Sequence, residues 1–167
     1  MRRTTVLVGM LALALLAVAP SALAGDNFVA TLSGGQEVPA RDTLAVGVAT
    51  FKLREDGAAL RFKVNVANID NAFAAHIHCG AAGVNGPVGV TLFLGPPAGG
   101  VVNGPLAEGT VAAPDPANAC GWADLAAVLA AIGSGDTYVN VHTNDGVAPP
   151  NTGPGDFPGG EIRGQVR

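Results

Sequence analysis

Two histidines in the stretch AHIHC, His76 and His78, are the residues of this sequence best suited to chemistry. A β-strand turns residues i and i+2 to the same face, so both imidazoles would project together while Ile77 enters the core. Their Cα atoms would then lie roughly 6.5–7 Å apart, which allows both rings to bind one metal ion. The spacing therefore marks a candidate copper or zinc site.

The third histidine, His142, lies in the run TYVNVHT at 137–143. Strand alternation directs Val139 and Val141 to the core and places His142 on the opposite face. If this strand neighbours the one with His76 and His78, all three imidazoles converge, and Glu161 or Asn140 would complete or orient the site. In the alternative, the histidines only form hydrogen bonds within the sheet, and the spacing leaves both interpretations open.

The elements that would carry these residues are short and rich in β-formers. Glycine and proline fall in clusters between runs of alternating apolar and polar residues. This pattern predicts an all-β, antiparallel, immunoglobulin-like β-sandwich or barrel with one solvated polar face, and EDG at 55–57 predicts a hairpin turn. The predicted strands are near 27–33, 44–54, 60–68, 73–79, 88–94, 108–112, 137–143 and 160–167.

One segment, GWADLAAVLAAIG at 121–133, has its apolar residues at helical spacing. It predicts one short helix packed against the sheet, with Gly133 as its C-cap. Trp122 at its start is expected to anchor in the core.

The first 24 residues have the pattern of a secretory signal. Arg2 and Arg3 precede an apolar run that is short for a membrane span, and the run ends in Ala22-Leu23-Ala24. We therefore expect cleavage after Ala24 and a mature domain over 25–167 with no membrane span. The protein would be secreted, either periplasmic or extracellular.

Charge and cysteine content narrow the function further. Two of the nine basic residues lie in the predicted signal and all thirteen acidic residues follow it, so the mature chain has a net charge of −6. This balance and the lack of a basic cluster argue against nucleic acid as a partner. Cys79 and Cys120 are expected to form a disulfide, because a cysteine pair in an oxidising compartment usually does.

Catalytic motifs are weak. Neither Ser33 nor Ser134 lies in a nucleophile elbow. Glu37 and Glu161 are a conceivable acid–base pair, but a solvated glutamate and a turn-stabilising one are the simpler interpretation. An enzyme is therefore not the favoured function.

Four pieces of the chain form a pattern in one order: ATLSGGQEVP at 30–39, AHIHCGAAGVNGPV at 75–88, AAIGSGDTYVNVHT at 130–143 and GGEIRGQV at 159–166. Together they resemble the CHRD (chordin-type) domain family, in its bacterial, secreted, single-domain form. The resemblance implies an extracellular immunoglobulin-like β-domain. In animal chordins such domains lie between modules known for growth-factor binding, so the expected partner is an unidentified extracellular protein or surface component. One departure is the long Pro/Gly segment at 144–160 beside His142.

The sequence supports three candidate functions. The first is a non-catalytic binding or structural module. The second is a copper- or zinc-binding domain that uses His76, His78 and His142. The third is a metal-dependent redox protein built on the same site.

Overall fold

The computed structural model describes residues 27–167, so the predicted signal and its cleavage site lie outside the described residues. The described chain contains eight strands, one short 3-10 turn and one α-helix. In chain order they are β1 (Asn27–Ser33), the 3-10 turn (Gly34–Gln36), β2 (Val46–Leu53), β3 (Leu60–Asp70), β4 (Ala72–Cys79), β5 (Val88–Leu94), β6 (Val101–Val111), α1 (Leu125–Ser134), β7 (Thr137–Thr143) and β8 (Ile162–Gln165).

The strands form a single antiparallel sheet in the order β5-β4-β7-β8-β1-β2-β3-β6. The two end strands, β5 and β6, contact each other, so the sheet curves into a near-barrel. The predicted all-β, antiparallel class is confirmed. This order makes β4 and β7 neighbours although nearly sixty residues separate them along the chain, and it is these two strands that carry the histidines.

The core forms inside the curved sheet, where one side chain in two points inward. In β2 buried and exposed positions alternate without a break. Leu60, Val64, Ile77 and Val139 are fully buried. Helix α1 contributes Val128 and Ile132 to the same core. Alternating polarity along each strand is therefore sufficient to assign most of the inward face.

The expectation of a solvated polar face is wrong for β7. All seven of its residues are buried. The segments 80–87 and 144–160 lie over the outer side of β4 and β7, as the contacts of Gly86 with His78 and of Pro158 with His142 demonstrate. Loop segments far from these strands in sequence thus convert an outer face into an enclosed one.

The helix begins and ends later than predicted. Asp124 caps its N-terminus, because its side chain accepts a hydrogen bond from the Ala127 amide, and this places the first helical residue at Leu125. Gly133 lies within the helix, and Gly135 is the C-cap in the left-handed conformation (φ 77°). Trp122 precedes the helix and packs against the core, as expected.

Strand β6 is longer than predicted, since the sequence pattern indicates a strand only at 108–112. It extends over Val101–Val111 as an end strand paired with β3, with register shifts that accommodate Gly104 and Pro105. An end strand tolerates a proline because one edge needs no donor. The other predicted strands match within a few residues, and the turn at 55–57 joins β2 to β3.

The predicted disulfide between Cys79 and Cys120 is present, with the two Cα atoms 5.8 Å apart. It ties the end of β4 to the segment before α1. Cys79 follows His78 directly, so the bond also restrains the end of the strand that carries two of the histidines. Among the described residues, none of the helices is long and apolar enough to cross a membrane.

Candidate metal centre

The three histidines lie together on the outer face of β4 and β7, as predicted. His76 is opposite Asn140 across the two strands, and His142 is opposite Ala74. The imidazole centroids are 4.9 Å apart for His76 and His142, 5.5 Å for His78 and His142, and 5.6 Å for His76 and His78. One ring nitrogen from each residue falls within 4.8 Å of the other two, which is a spacing that one metal ion could span.

Backbone carbonyls orient two of the rings. The Nδ1 atom of His78 lies 2.9 Å from the Gly86 carbonyl oxygen, and the Nδ1 atom of His142 lies 2.9 Å from the Pro158 carbonyl oxygen. A carbonyl only accepts hydrogen bonds, so in both rings Nδ1 carries the hydrogen and the neutral ring has a bare lone pair on Nε2. Carbonyls that hold Nδ1–H in this way are the usual outer support of metal-binding histidines.

The two Nε2 atoms of His78 and His142 lie 3.3 Å apart. With Nδ1 protonated in both rings, a hydrogen bond between them requires one imidazolium. Burial opposes this charge: it is the main cause that lowers the pKa of His142 to about 4, with the neighbouring His76 as the second cause. Burial also lowers the pKa of His78. At neutral pH two lone pairs therefore face each other, and a cation between them would relieve the repulsion.

His76 is the most accessible of the three rings. Burial, followed by the charge of His78, lowers its pKa to about 4. Its Nδ1 atom is buried and makes no hydrogen bond within residues 27–167. All three imidazoles are thus held in the neutral form that a metal requires.

An aromatic and cationic stack supports His78 from the side. Its ring lies nearly parallel to that of Tyr138, with centroids 4.9 Å apart, and the Arg163 guanidinium lies 4.6 Å from the Tyr138 centroid. Arg163 is buried and donates hydrogen bonds to the Gln36 carbonyl at 2.5 Å and to Asn85 Oδ1 at 2.9 Å. These contacts leave His78 little rotational freedom.

Glu161, predicted to complete or orient the site, has other hydrogen-bond partners. Its fully buried carboxylate accepts hydrogen bonds from the Thr43 and Thr143 hydroxyls, both at 2.6 Å, and from the Gly155 amide at 2.8 Å. It therefore anchors the segment 144–160 that covers His142. Asn140, the other candidate, lies directly opposite His76 and is buried.

Two charged residues beside this face, Arg163 and Glu37, are buried, which the sequence pattern does not predict. Glu37 is only 6 % exposed, not solvated as expected, and burial raises its pKa to about 7 despite the opposing charges of Arg163 and Arg41. No local sequence signal marks Glu37, which lies in the glycine-rich stretch SGGQEVP. Its burial depends on contacts between segments far apart in the chain.

A family model for the CHRD domain matches residues 28–166. The chain belongs to the CHRD domain family. In this CHRD domain the match spans the three histidines, both cysteines and Glu37. The comparisons with curated proteins and with solved structures returned no match. Family membership establishes a small β-domain module.

Proposed function

We propose that this CHRD domain binds a divalent transition-metal ion, copper or zinc, through His76, His78 and His142. The observation that carries the proposal is the 3.3 Å separation of the His78 and His142 Nε2 atoms, with each Nδ1 committed to a carbonyl. Two imidazole nitrogens bound to one tetrahedral ion at 2.0–2.1 Å would lie about 3.3 Å apart. The two rings are therefore already positioned as a pair of ligands.

Titration calorimetry of tag-free protein with copper(II) and zinc(II) tests this proposal. We expect one equivalent of metal to bind, copper more tightly than zinc, because imidazole sites follow the usual order of divalent metals. Elemental analysis of protein purified from its native compartment identifies the ion that is bound there. An absence of saturable binding for both metals would refute the proposal.

The pH dependence of binding should differ from that of ordinary histidine sites. Protons compete with the metal for imidazole, and an unperturbed site weakens as the pH falls through about 6.5. In this protein burial lowers the pKa of His76 and of His142 to about 4. We therefore expect the metal affinity to stay nearly constant from pH 7.5 to about pH 5 and to fall only as the pH approaches 4. Calorimetry over this range, with circular dichroism as a control for folding, measures the profile, and a steady decline from pH 6.5 would contradict it.

We further propose that the protein is exported. The basic start, the apolar run and Ala22-Leu23-Ala24 support a cleaved signal, and a Cys79–Cys120 disulfide persists most readily in an oxidising compartment. N-terminal sequencing of the exported protein should begin at Gly25. An Ala24→Phe variant should stay uncleaved, because the signal-peptidase site requires a small residue there. Mature protein that retains residues 1–24 would overturn the proposal.

A second candidate function is the non-catalytic binding module. An apolar groove on the outer face of β1, β2 and β3, lined in part by Thr31, Val46, Val48 and Asn65, supports it. This groove lies away from the histidine-bearing strands, so the two functions are compatible. If the groove binds a surface component, Val46→Lys should reduce retention of the protein at the cell surface, whereas His78→Ala should not.

A further inference from the structure

Three buried side-chain atoms beside the histidine cluster make no hydrogen bond within residues 27–167. They are His76 Nδ1, Asn140 Oδ1 and Glu37 Oε1, and the described residues contain six such atoms in all. A buried polar atom without a partner destabilises the fold, so native proteins retain few of them. Half of those found in residues 27–167 thus occur in the neighbourhood of one site, which indicates that the site is shaped for a further polar group.

Asn140 lies at the base of the histidine cluster. It is directly opposite His76 on β4, and on β7 it stands two residues from Tyr138 and two from His142. Because i and i+2 on a strand share a face, its amide projects on the same side as the three imidazoles. Asn140 is 3 % exposed, so a partner for its oxygen must come from within the site.

Glu37 and Asn140 border the same space next to Gly160. A Cβ atom at position 160 would lie 2.6 Å from Asn140 Oδ1 and 2.8 Å from Glu37 Oε1. Gly160 has φ +126°, a conformation that side chains rarely adopt, and a Cβ atom here would collide with both side chains, so glycine allows Asn140 and Glu37 to pack closely against the backbone. Two oxygens without partners therefore lie at most about 5.4 Å from each other.

We propose that the metal ion carries a small exogenous ligand, water or hydroxide that small monoanions can replace, and that Asn140 and Glu37 bind this ligand. The inference rests on the proposed metal site. Three histidines leave the fourth position of a tetrahedral ion to a ligand from solution. Asn140 lies directly opposite His76, and its Oδ1 atom is buried without a hydrogen-bond partner.

The chemistry of the two side chains suits such a ligand. The Asn140 amide has both an acceptor oxygen and donor hydrogens. Burial raises the pKa of Glu37 to about 7, so near neutral pH its carboxyl can either accept a hydrogen bond from bound water or donate one to an anion. Both side chains are buried, with 6 % of Glu37 and 3 % of Asn140 exposed, so a small monoanion such as azide is the suitable probe.

Azide titration of the copper(II)-loaded protein tests the proposal, with the visible absorption of the copper centre as the readout. We expect a saturable spectral change in the unmodified protein. Asn140→Leu has a similar branched shape but forms no hydrogen bond, so it should bind azide about tenfold more weakly while retaining copper. The matched control, Asn27→Leu at the exposed start of β1, should leave the azide affinity unchanged. Glu37→Leu provides a second variant, with the same expected weakening, should Asn140→Leu fail to fold.

Thermal unfolding of the metal-free variants separates ligand binding from a structural role. If Asn140 serves the ligand, its replacement by leucine removes a buried oxygen without a partner and should raise the Tm by about 2–6 °C. A structural Asn140 would instead lower the Tm. Copper binding without any azide response, or equal azide affinity in Asn140→Leu and the unmodified protein, would overturn this inference and leave the metal site standing. Failure to bind copper would overturn both.

Discussion

Replacing His78 with alanine should lower the affinity for copper(II) by more than about 100-fold. Loss of a residue that only hydrogen-bonds to a metal ligand typically lowers metal affinity 10–100-fold, and His78 would itself be a ligand. Its Nε2 atom lies 3.3 Å from that of His142, and no other described group of candidate ligands offers a replacement. Calorimetry with metal-free protein, under conditions in which unmodified protein saturates, measures the loss.

The fold should survive this change. The Gly86 carbonyl that His78 contacts also accepts a hydrogen bond from the Tyr138 hydroxyl at 3.3 Å, so it keeps one partner. Native circular dichroism of His78→Ala is therefore the control, and His142→Gln should reproduce the loss of affinity. Unchanged copper binding in both variants would indicate that the histidines only form hydrogen bonds within the sheet.

Replacing Ile77, the residue between the two histidines, should instead lower the stability of the fold and leave metal binding intact. Ile77 is fully buried and is paired with Val90 on β5 and Val139 on β7. Ile77→Ala would leave a cavity in a tightly packed core, and we expect it to lower the free energy of unfolding by about 2–5 kcal/mol. Urea unfolding of the metal-free, disulfide-intact protein gives this value.

Metal stoichiometry in Ile77→Ala should stay at one, because the side chain points away from the imidazoles. Val46→Ala on the outer face of β2 is a suitable control: Val46 is 48 % exposed, and its truncation should cost less than about 1 kcal/mol. If Ile77→Ala lost metal binding while still folded, the assignment of opposite faces to Ile77 and the histidines would be wrong. Together, His78→Ala and Ile77→Ala separate binding from stability at adjacent positions.

Local pattern was sufficient to predict much of this structure. The alternation in AHIHC and TYVNVHT assigned His76, His78 and His142 to one face and Ile77 to the core, because side-chain direction in a strand follows parity alone. The cysteine pair predicted the Cys79–Cys120 disulfide. The helix boundaries were predicted less well. The C-cap is Gly135 and not the predicted Gly133, because both glycines follow the apolar pattern and local spacing does not distinguish them.

The order of strands was beyond local pattern. No residue pattern within β4 or β7 predicts that the two strands are neighbours, yet this pairing brings His142 close to the other two histidines. Sheet order depends on which arrangement buries the inner faces of all eight strands at once, and this is a property of the whole chain.

The sequence by itself therefore determined the candidate ligands, their common face and the core residue between them, because these depend on residue type and strand parity. Only the tertiary structure decided that the face is enclosed, that Gly86 and Pro158 fix the ring orientations, and that Glu37 and Asn140 border the site. These features arise where segments 80–87 and 144–160 fold over the sheet. Such loop contacts join residues far apart in sequence through backbone carbonyls, which every residue possesses and which no sequence pattern can therefore mark.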